Sequence, residues 1–418
     1  MNTIELRQNF LNYFRKHNHK FMKQSQVYLD NDPTLFFVNA GMNQLKDVFL
    51  GNKQPGDHNK LMNSQICIRA GGKHNDFDDV GRDSYHLTSF EMLGNWEIDC
   101  NNKENPIELA FNYLVDELHL NKDQIYITYF EGNDTIPADI ETKEIWKKYV
   151  NEDKIIKGNA NDNFWLMGDS GPCGFCTEIH YDLLGNRDAN NLVNTNDNTV
   201  IEIWNIVFIQ FNKVGDEYLK LPKMFIDTGC GLERLSMILQ NKNTLYDTDA
   251  FKYIMGCAQL LSNSDFYTNS YQEDNTKDLA YRIFADHMRT STVAVFQGVK
   301  FDSHGRGYIL RKIFRRLLVY YYMFLANGSM TPIMKNKEIN ILISRILNYF
   351  LFYTHDANII QEKFIKEEKL ALDKWTYIKI KFNKCSKDFN GDAEKIMERL
   401  KTKDGIDDVI CKNIKLLK

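Results

Sequence analysis

No stretch of this sequence is apolar for long enough to cross a bilayer. The longest run, Leu317 to Ala326, covers ten residues directly after Arg315 and Arg316, about half of the roughly 20 that a membrane helix needs. The segment Met1 to Asn18 has neither the apolar core and small-residue cleavage site of a secretory leader nor the acidic-poor, Ser-rich character of a transit peptide, and it reads as a cytoplasmic start. Eight cysteines in 418 residues, with one close pair, exclude a disulfide framework and point to a reducing compartment. Only seven prolines occur among abundant Asn and Lys, a bias that base composition explains without any functional cause. No internal repeat is present. The two common phosphate cradles are missing: there is no G-x-x-x-x-G-K-[ST], and no G-x-G-x-x-G opens a helix after a strand.

What remains is a globular chain, 43% hydrophobic and 26% charged, long enough for two or three domains. Its net charge of -4 hides an asymmetry. Residues 1–245 hold 24 Lys and Arg against 35 Asp and Glu, and residues 246–418 hold 28 against 21. A basic carboxyl-terminal part beside an acidic amino-terminal part fits a nucleic-acid-facing module joined to a small-molecule module; a solvated charged face is the plain alternative. The patterning changes near the same place. An Asn2-x-x-Glu5 capping box precedes helical spacing at Ile4, Leu6, Phe10, Leu11, Tyr13 and Phe14. β-prone runs follow at 34–38, 89–93, 125–130 and 200–212, separated by Gly, Asn and Asp clusters, with 186–198 a loose Asn-rich loop. From about Asp247 helical patterns dominate, including 307–325 and 357–381. The expectation is an α+β domain with a largely antiparallel sheet over residues 1–245 and an all-α domain over 246–418.

The Gly-rich segment Ala70-Gly71-Gly72-Lys73-His74 lacks Walker spacing and by itself is a turn. Its flanks add chemistry: a strand ends at Arg69, and a second strand carries Phe90 and Glu91. A hairpin of this kind sets a guanidinium, which can fork onto phosphate oxygens, beside a ring that can stack on a purine. A second arginine, Arg234, stands in DTGCGLERL from Asp227. Two arginines on neighbouring strands could hold the two ends of a bent triphosphate.

The blocks NAGMNQLKDVFLG from Asn39, RAGGKHND from Arg69, FEMLGN from Phe90, NFWLMGDSGPCGFCTEI from Asn163, EIWNIVFIQFN from Glu202, DTGCGLERL from Asp227 and GRGYILRKIFRR from Gly305, with NDPTL from Asn31, occur in family order over residues 1–320. In them the chain resembles the class II aminoacyl-tRNA synthetases, and among these the alanine-specific branch. The resemblance implies a class II antiparallel sheet flanked by helices, followed by a helical tRNA-binding domain. It also implies ATP-dependent activation of alanine and transfer to the 3' end of tRNA(Ala). It assigns the α-phosphate to Arg69, the γ-phosphate end to Arg234, adenine to Phe90, and further ATP contact to His86 and Glu202, the latter also a candidate for the Mg²⁺ that accompanies ATP. Asp227 is to accept the alanine ammonium, with Asn205 a polar contact and Trp165, Val207 and Gly229 shaping a small pocket. Plain core packing is the alternative for Trp165 and Val207, and a helix N-cap for Asp227. Arg289, Ser303, Arg306, Arg311, Lys312, Arg315 and Arg316 are assigned to a positive face that meets the tRNA acceptor stem.

Several departures stand beside this likeness. Cys173-x-x-Cys176-x-x-x-His180 could pass for three zinc ligands or a redox pair, but the family carries this block as an active-site wall, with Pro where Phe175 stands, and no structural zinc is expected. The family's editing domain uses H-x-x-x-H and a later Cys-x-x-x-His; here the last histidine is His355, so no editing in cis and a minimal, monomeric form are expected. Family members read a G·U pair with an Asn and an Asp, whose counterparts are Ser303 and Thr402. These keep hydroxyls but lose the amide and carboxylate, so altered reading of that pair is expected. The other readings are a related synthetase that charges another acceptor, and a catalytically silent RNA-binding protein that kept the fold.

Overall fold

A computed structural model describes residues 1–30, 35–54, 56–72, 75–167, 170–352 and 356–388. The chain divides into two compact units, Met1–Asn75 with Ser89–Asp249, and Asp76–Thr88 with the chain from Ala250 onward.

The first unit opens with α1 (Thr3–Lys16), where Asn2 Oδ1 accepts from Glu5 N and Glu5 Oε2 accepts from Asn2 N, both at 2.9 Å. Of its apolar positions Leu6, Phe10, Leu11, Tyr13 and Phe14 are buried, while Ile4 stays exposed. A nine-stranded sheet carries the rest: β1 (Lys20–Phe21), β2 (Lys60–Ile68), β3 (Ser89–Cys100), β4 (Ile125–Phe130), β5 (Ile155–Gly158), β6 (Phe164–Leu166), β7 (Gly171–Asp182), β8 (Val200–Val214) and β9 (Glu217–Gly231). The order is β1-β2-β3-β9-β8-β7-β4-β5, with β6 paired to β7, and only the β1–β2 and β4–β5 pairings are parallel. Helices α2 (Lys46–Phe49), α3 (Glu104–Asn112), α4 (Ile140–Trp146), α5 (Ala160–Asn163) and α6 (Leu232–Leu239) complete the unit. The β-prone run at 34–38 forms no strand in its described part, 35–38: Val38 instead links Val27 and Ile68 by single backbone bonds of 2.8 Å. The Asn-rich loop is also less loose than expected, since Ala189 and Val193 pack on Tyr126 and Val200.

α1 lies on one face of the sheet and is fastened there by charge. Arg7 grips the Glu91 carboxylate through Nε (2.6 Å) and Nη2 (2.5 Å), and Ser64 Oγ donates to the same carboxylate at 2.6 Å. The backbone N–H of Glu91 donates in turn to the Glu233 carboxylate of α6. With one face so covered, residues of the opposite parity on β3, β9, β8 and β7 define the other face.

The second unit holds no strand among its described residues. It consists of α7 (Asp249–Ser262), α8 (Thr276–Phe296), α9 (Gly305–Tyr320, continued by a wider π turn, Tyr321–Leu325), α10 (Lys337–Tyr349) and α11 (Ala357–Asp388). Residues 76–88, which in sequence interrupt the first unit, pack here. Thr88 N donates to Asp286 Oδ1 at 2.9 Å, and Arg282 Nε donates to the carbonyl of Gly81 at 2.6 Å. Gly81 has φ +84°, a conformation that favours glycine, and it lies so close to α8 that a Cβ would press on the end of the Leu279 side chain at 2.9 Å.

Removing Arg7 leaves a carboxylate that is 3% exposed without its cation. Breaking a buried pair in this way costs about 3 to 5 kcal/mol. Arg7→Met is therefore expected to lower the unfolding free energy, extrapolated from urea titrations read by tryptophan fluorescence, by that amount, and an unchanged midpoint contradicts the fastening role.

Candidate active site

The register of the sheet builds the site. Residues directly opposite each other in antiparallel strands project from the same face. One row runs Trp96–Asp227–Val207–Cys176 across β3, β9, β8 and β7, and the next runs Gly94–Gly229–Asn205–Glu178. The two glycines remove side chains beside the only carboxylate of the first row. The gap at Gly229 is taken by Met92, whose sulfur lies 2.7 Å from where a Cβ would stand, so any larger residue there displaces the wall. Trp96, Val207, Cys176, Met167 and partly buried Trp165 and Met92 belong to one apolar cluster. Trp165 and Val207 thus belong to one cluster, and Val207 lies directly opposite Asp227.

Asp227 is 7% exposed and receives the Trp96 indole N–H at 2.6 Å. Burial pushes its carboxyl up to about 7, an effect the Trp96 hydrogen bond only partly offsets. The helix-cap reading fails: Gly231 occupies the N-cap of α6, and Asp227 sits inside β9 four residues earlier. A dry carboxylate flanked by apolar side chains is chemically suited to a small cation, because a positive charge restores the balance that burial disturbs. Asn205 beside it accepts the Cys176 S–H at 2.8 Å, and burial holds that thiol well above its usual range.

The two arginines come from different kinds of element. Arg69 follows β2 by one residue; its Nε donates to the Asn39 carbonyl at 3.2 Å, and its guanidinium lies 5.0 Å from the centroid of Phe90. Cation and ring are therefore side by side, the arrangement expected of the hairpin. Arg234 is on α6, at the helix start that the strand and Gly turn before it predict, and so not itself on a strand neighbouring β2. Its Nη1 donates to the Glu202 carbonyl at 2.7 Å and approaches Glu202 Oε2 at 3.2 Å. Burial raises the Glu202 carboxyl, but the charges of Arg234, His180 and Arg69 outweigh it and leave the group below its ordinary value, hence ionised at neutral pH. Both arginines thus act on one carboxylate. Beside Arg69 opens a cleft of about 700 Å³ lined in part by Phe36, Phe37, Asn39, Lys46, Gly71 and Gly72.

The Cys-x-x-Cys pair is part of the β7 wall: Cys173 lies opposite Leu166 and Phe211, and Cys176 opposite Val207. His86 belongs to the second unit, where its Nδ1 and backbone N–H both meet the Asp83 carboxylate. The expected positive face of that unit needs correction. Arg289 is 1% exposed, its guanidinium 4.8 to 5.1 Å from the rings of Phe251, Tyr349 and Phe350. It sits on α8, whose residues from Ala280 to Val295 are all buried, so its charge is enclosed in the helix packing and adds nothing to an exposed face. Arg316 turns to Phe77, with its cation 4.5 Å from the ring and a hydrogen bond to the Phe77 carbonyl. Arg311 and Arg315 both approach Glu367. Lys312 and Ser303 are exposed, and Arg306 is partly so. Thr402 lies outside the described residues.

Trp96, Met92 and the Cys176–Asn205 bond were not read from the sequence. The period of two starting at Phe90 is the signal for the first pair, since 90, 92, 94 and 96 must share one face. The Cys176–Asn205 bond requires the β7–β8 register and had no local signal.

Residues 5–374 match the family of tRNA synthetases class II (A). The alanine–tRNA ligase of Schizosaccharomyces pombe is 48% identical over 322 residues, 75% of this chain and 34% of that protein. The mitochondrial alanine–tRNA ligase of Saccharomyces cerevisiae is 48% identical over 324 residues, 75% and 33%. That of Bacteroides thetaiotaomicron is 41% identical over 375 residues, 88% and 42%. The chain spans about a third of the length of the two yeast proteins.

A carboxyl raised from 3.8 to about 7 makes the folded state bind its proton more tightly than the unfolded chain does. The associated stability is complete below pH 3.8 and is lost as pH rises through 7. Asp227→Asn is consequently expected to stabilise the unliganded protein by roughly 4 kcal/mol at pH 8 and by less than about 1 at pH 4. Denaturant titrations of both proteins at the two pH values check this; a difference independent of pH contradicts the burial of an ionising group.

Proposed function

The chain belongs to the class II (A) tRNA synthetases, and on that premise we propose that it activates alanine with ATP and passes the alanyl group to the 3' end of tRNA(Ala). The observation that carries this reading is Asp227, a dry carboxylate opposite Trp96 and Val207, together with Glu202, which the charges of Arg234 and Arg69 hold ionised.

In the first step an alanine carboxylate oxygen attacks the α-phosphorus of ATP, and the bond to the β-phosphate oxygen breaks with its electrons leaving on pyrophosphate. In the second a ribose hydroxyl of the tRNA terminus attacks the carbonyl carbon and AMP departs. Neither step needs a protein nucleophile, so the residues bind, orient and neutralise. Asp227 holds the ammonium, and Val207, Trp165 and the Gly229–Met92 contact exclude larger side chains, while Asn205 offers an amide. Arg69 meets the α-phosphate, where charge develops; Arg234 meets the γ-phosphate end; and Phe90 stacks on adenine. Glu202, ionised, is the group that would hold Mg²⁺ with the phosphates, and the metal would supply further neutralisation of phosphate charge. The acceptor stem meets Arg306, Arg311, Lys312 and Arg315 on α9, with Ser303 at its start giving a changed reading of the G·U position. The compartment proposed is the cytoplasm and the form a monomer; six free, buried cysteines among the described residues support a reducing environment.

Alanine-dependent exchange of pyrophosphate into ATP tests the reading without tRNA. Arg69→Ala and Arg234→Ala are each expected to slow it by roughly tenfold to a thousandfold, the scale for loss of one charge-stabilising donor. Asp227→Asn is expected to raise the KM for alanine far more than that for ATP. Exchange at the wild-type rate in both arginine variants contradicts the assignment.

A further inference from the structure

The arginines of α9 do not stand free, and the way two of them are held carries a consequence for RNA binding. Arg311 and Arg315 lie one helical turn apart. Both converge on a single oxygen of α11: Glu367 Oε1 receives Arg315 Nε at 2.8 Å, lies 2.8 Å from Arg315 Nη2, and stands 3.1 Å from Arg311 Nε. The Glu367 side chain is 3% exposed, whereas those of Arg311 and Arg315 are 24% and 30% exposed. Arg315 therefore donates its Nε edge to a buried acceptor, Arg311 is held beside the same oxygen by charge, its Nε–H making no hydrogen bond, and both side chains stay partly exposed.

We infer that Glu367 is a positioning residue that sets Arg311 and Arg315 as a paired fork for the RNA backbone, an assignment that rests on the reading of α9 as the acceptor-stem helix. The alternative, that Glu367 is an internal phosphate surrogate displaced by RNA, meets two obstacles. Displacement strands a buried carboxylate without a countercharge, the costly half of breaking such a pair. The turn that carries Glu367 is also fixed: the adjacent Glu368 accepts from Tyr322 Oη at 2.7 Å and from the backbone N–H groups of Ile333 and Met334 at 2.9 and 3.1 Å. Glu367 stays in place while the ligand arrives. Each guanidinium offers its remaining N–H groups to a phosphate, and the i,i+4 spacing, about 6 Å between Cβ atoms, lets the two forks serve one backbone segment. Holding two long side chains in one rotamer before binding removes an entropic cost that the complex otherwise carries.

Positioning and simple electrostatics predict opposite signs. Neutralising Glu367 adds one positive charge, which alone strengthens binding to any RNA. The experiment is a fluorescence-anisotropy titration of the full chain with a labelled hairpin that reproduces the acceptor stem of tRNA(Ala), and with an unrelated RNA duplex of equal length. Glu367→Gln is expected to weaken hairpin binding roughly tenfold, the scale of freeing two arginine side chains, while duplex binding holds or tightens. Glu367→Asp keeps the charge but withdraws it by one methylene, and is expected to weaken hairpin binding as well. It carries the test if circular dichroism shows that Glu367→Gln does not fold. Equal tightening toward both RNAs, or an unchanged hairpin affinity, overturns the positioning role. If the wild-type chain itself fails to prefer the hairpin, the reading of α9 falls and this inference with it.

Discussion

The structure turns on a carboxylate kept dry. Asp227 is nearly shut off from water, is offered one indole N–H, and sits where the antiparallel register leaves glycines on one side and apolar residues on the other. Left empty, such a group holds its proton up to about pH 7. That is a cost to the free protein, and under the proposed reading it is the source of selectivity, since a small ammonium restores the balance and a neutral or bulky group does not. The strands on either side exist at these lengths to hold that register, and α1 locks the opposite face through Arg7 and Glu91.

Around this receptor the chemistry is one of placed charge. The charges of both arginines that the proposed reaction needs keep Glu202 ionised, although one follows a strand and the other rides on a helix. The second unit follows the same rule in another setting. Its arginines are each engaged: Arg289 beneath three rings, Arg316 on Phe77, Arg311 and Arg315 on Glu367. A count of basic residues overstates the open charge of such a unit, since burial and pairing decide which cations a partner can meet.

The sequence carried much of the fold because its strands have strong local signals. The run Ile125 to Phe130 is β4 to the residue, and the Asn2–Glu5 box starts α1 as read. The site residues were legible as blocks, and the sheet then gathers Asp227, Val207, Asn205 and Gly229 into two adjacent rows. What local pattern could not carry was partnership across distance. Trp96 meets Asp227 from 131 residues away, and Glu367 meets Arg315 from 52. The 35–38 segment has strand-forming residues but no ladder to join, and Arg289 reads as surface charge until α8 is seen to be buried along most of its length. Residues 76–88 look like a loop between two strands, yet their anchors, Asp286 and Arg282, lie about two hundred positions further on.

The central claim is that the buried Asp227 carboxyl receives the ammonium of the amino acid, and proton linkage tests it most directly. Titration calorimetry of L-alanine into the protein, repeated at pH 7 in buffers of different ionisation enthalpy, counts the protons exchanged on binding. With the carboxyl at about 7 when empty and ionised when paired, about half a proton should leave per alanine bound at pH 7, falling toward zero by pH 9. Binding with no proton release at pH 7, or release that persists in Asp227→Asn, contradicts the account.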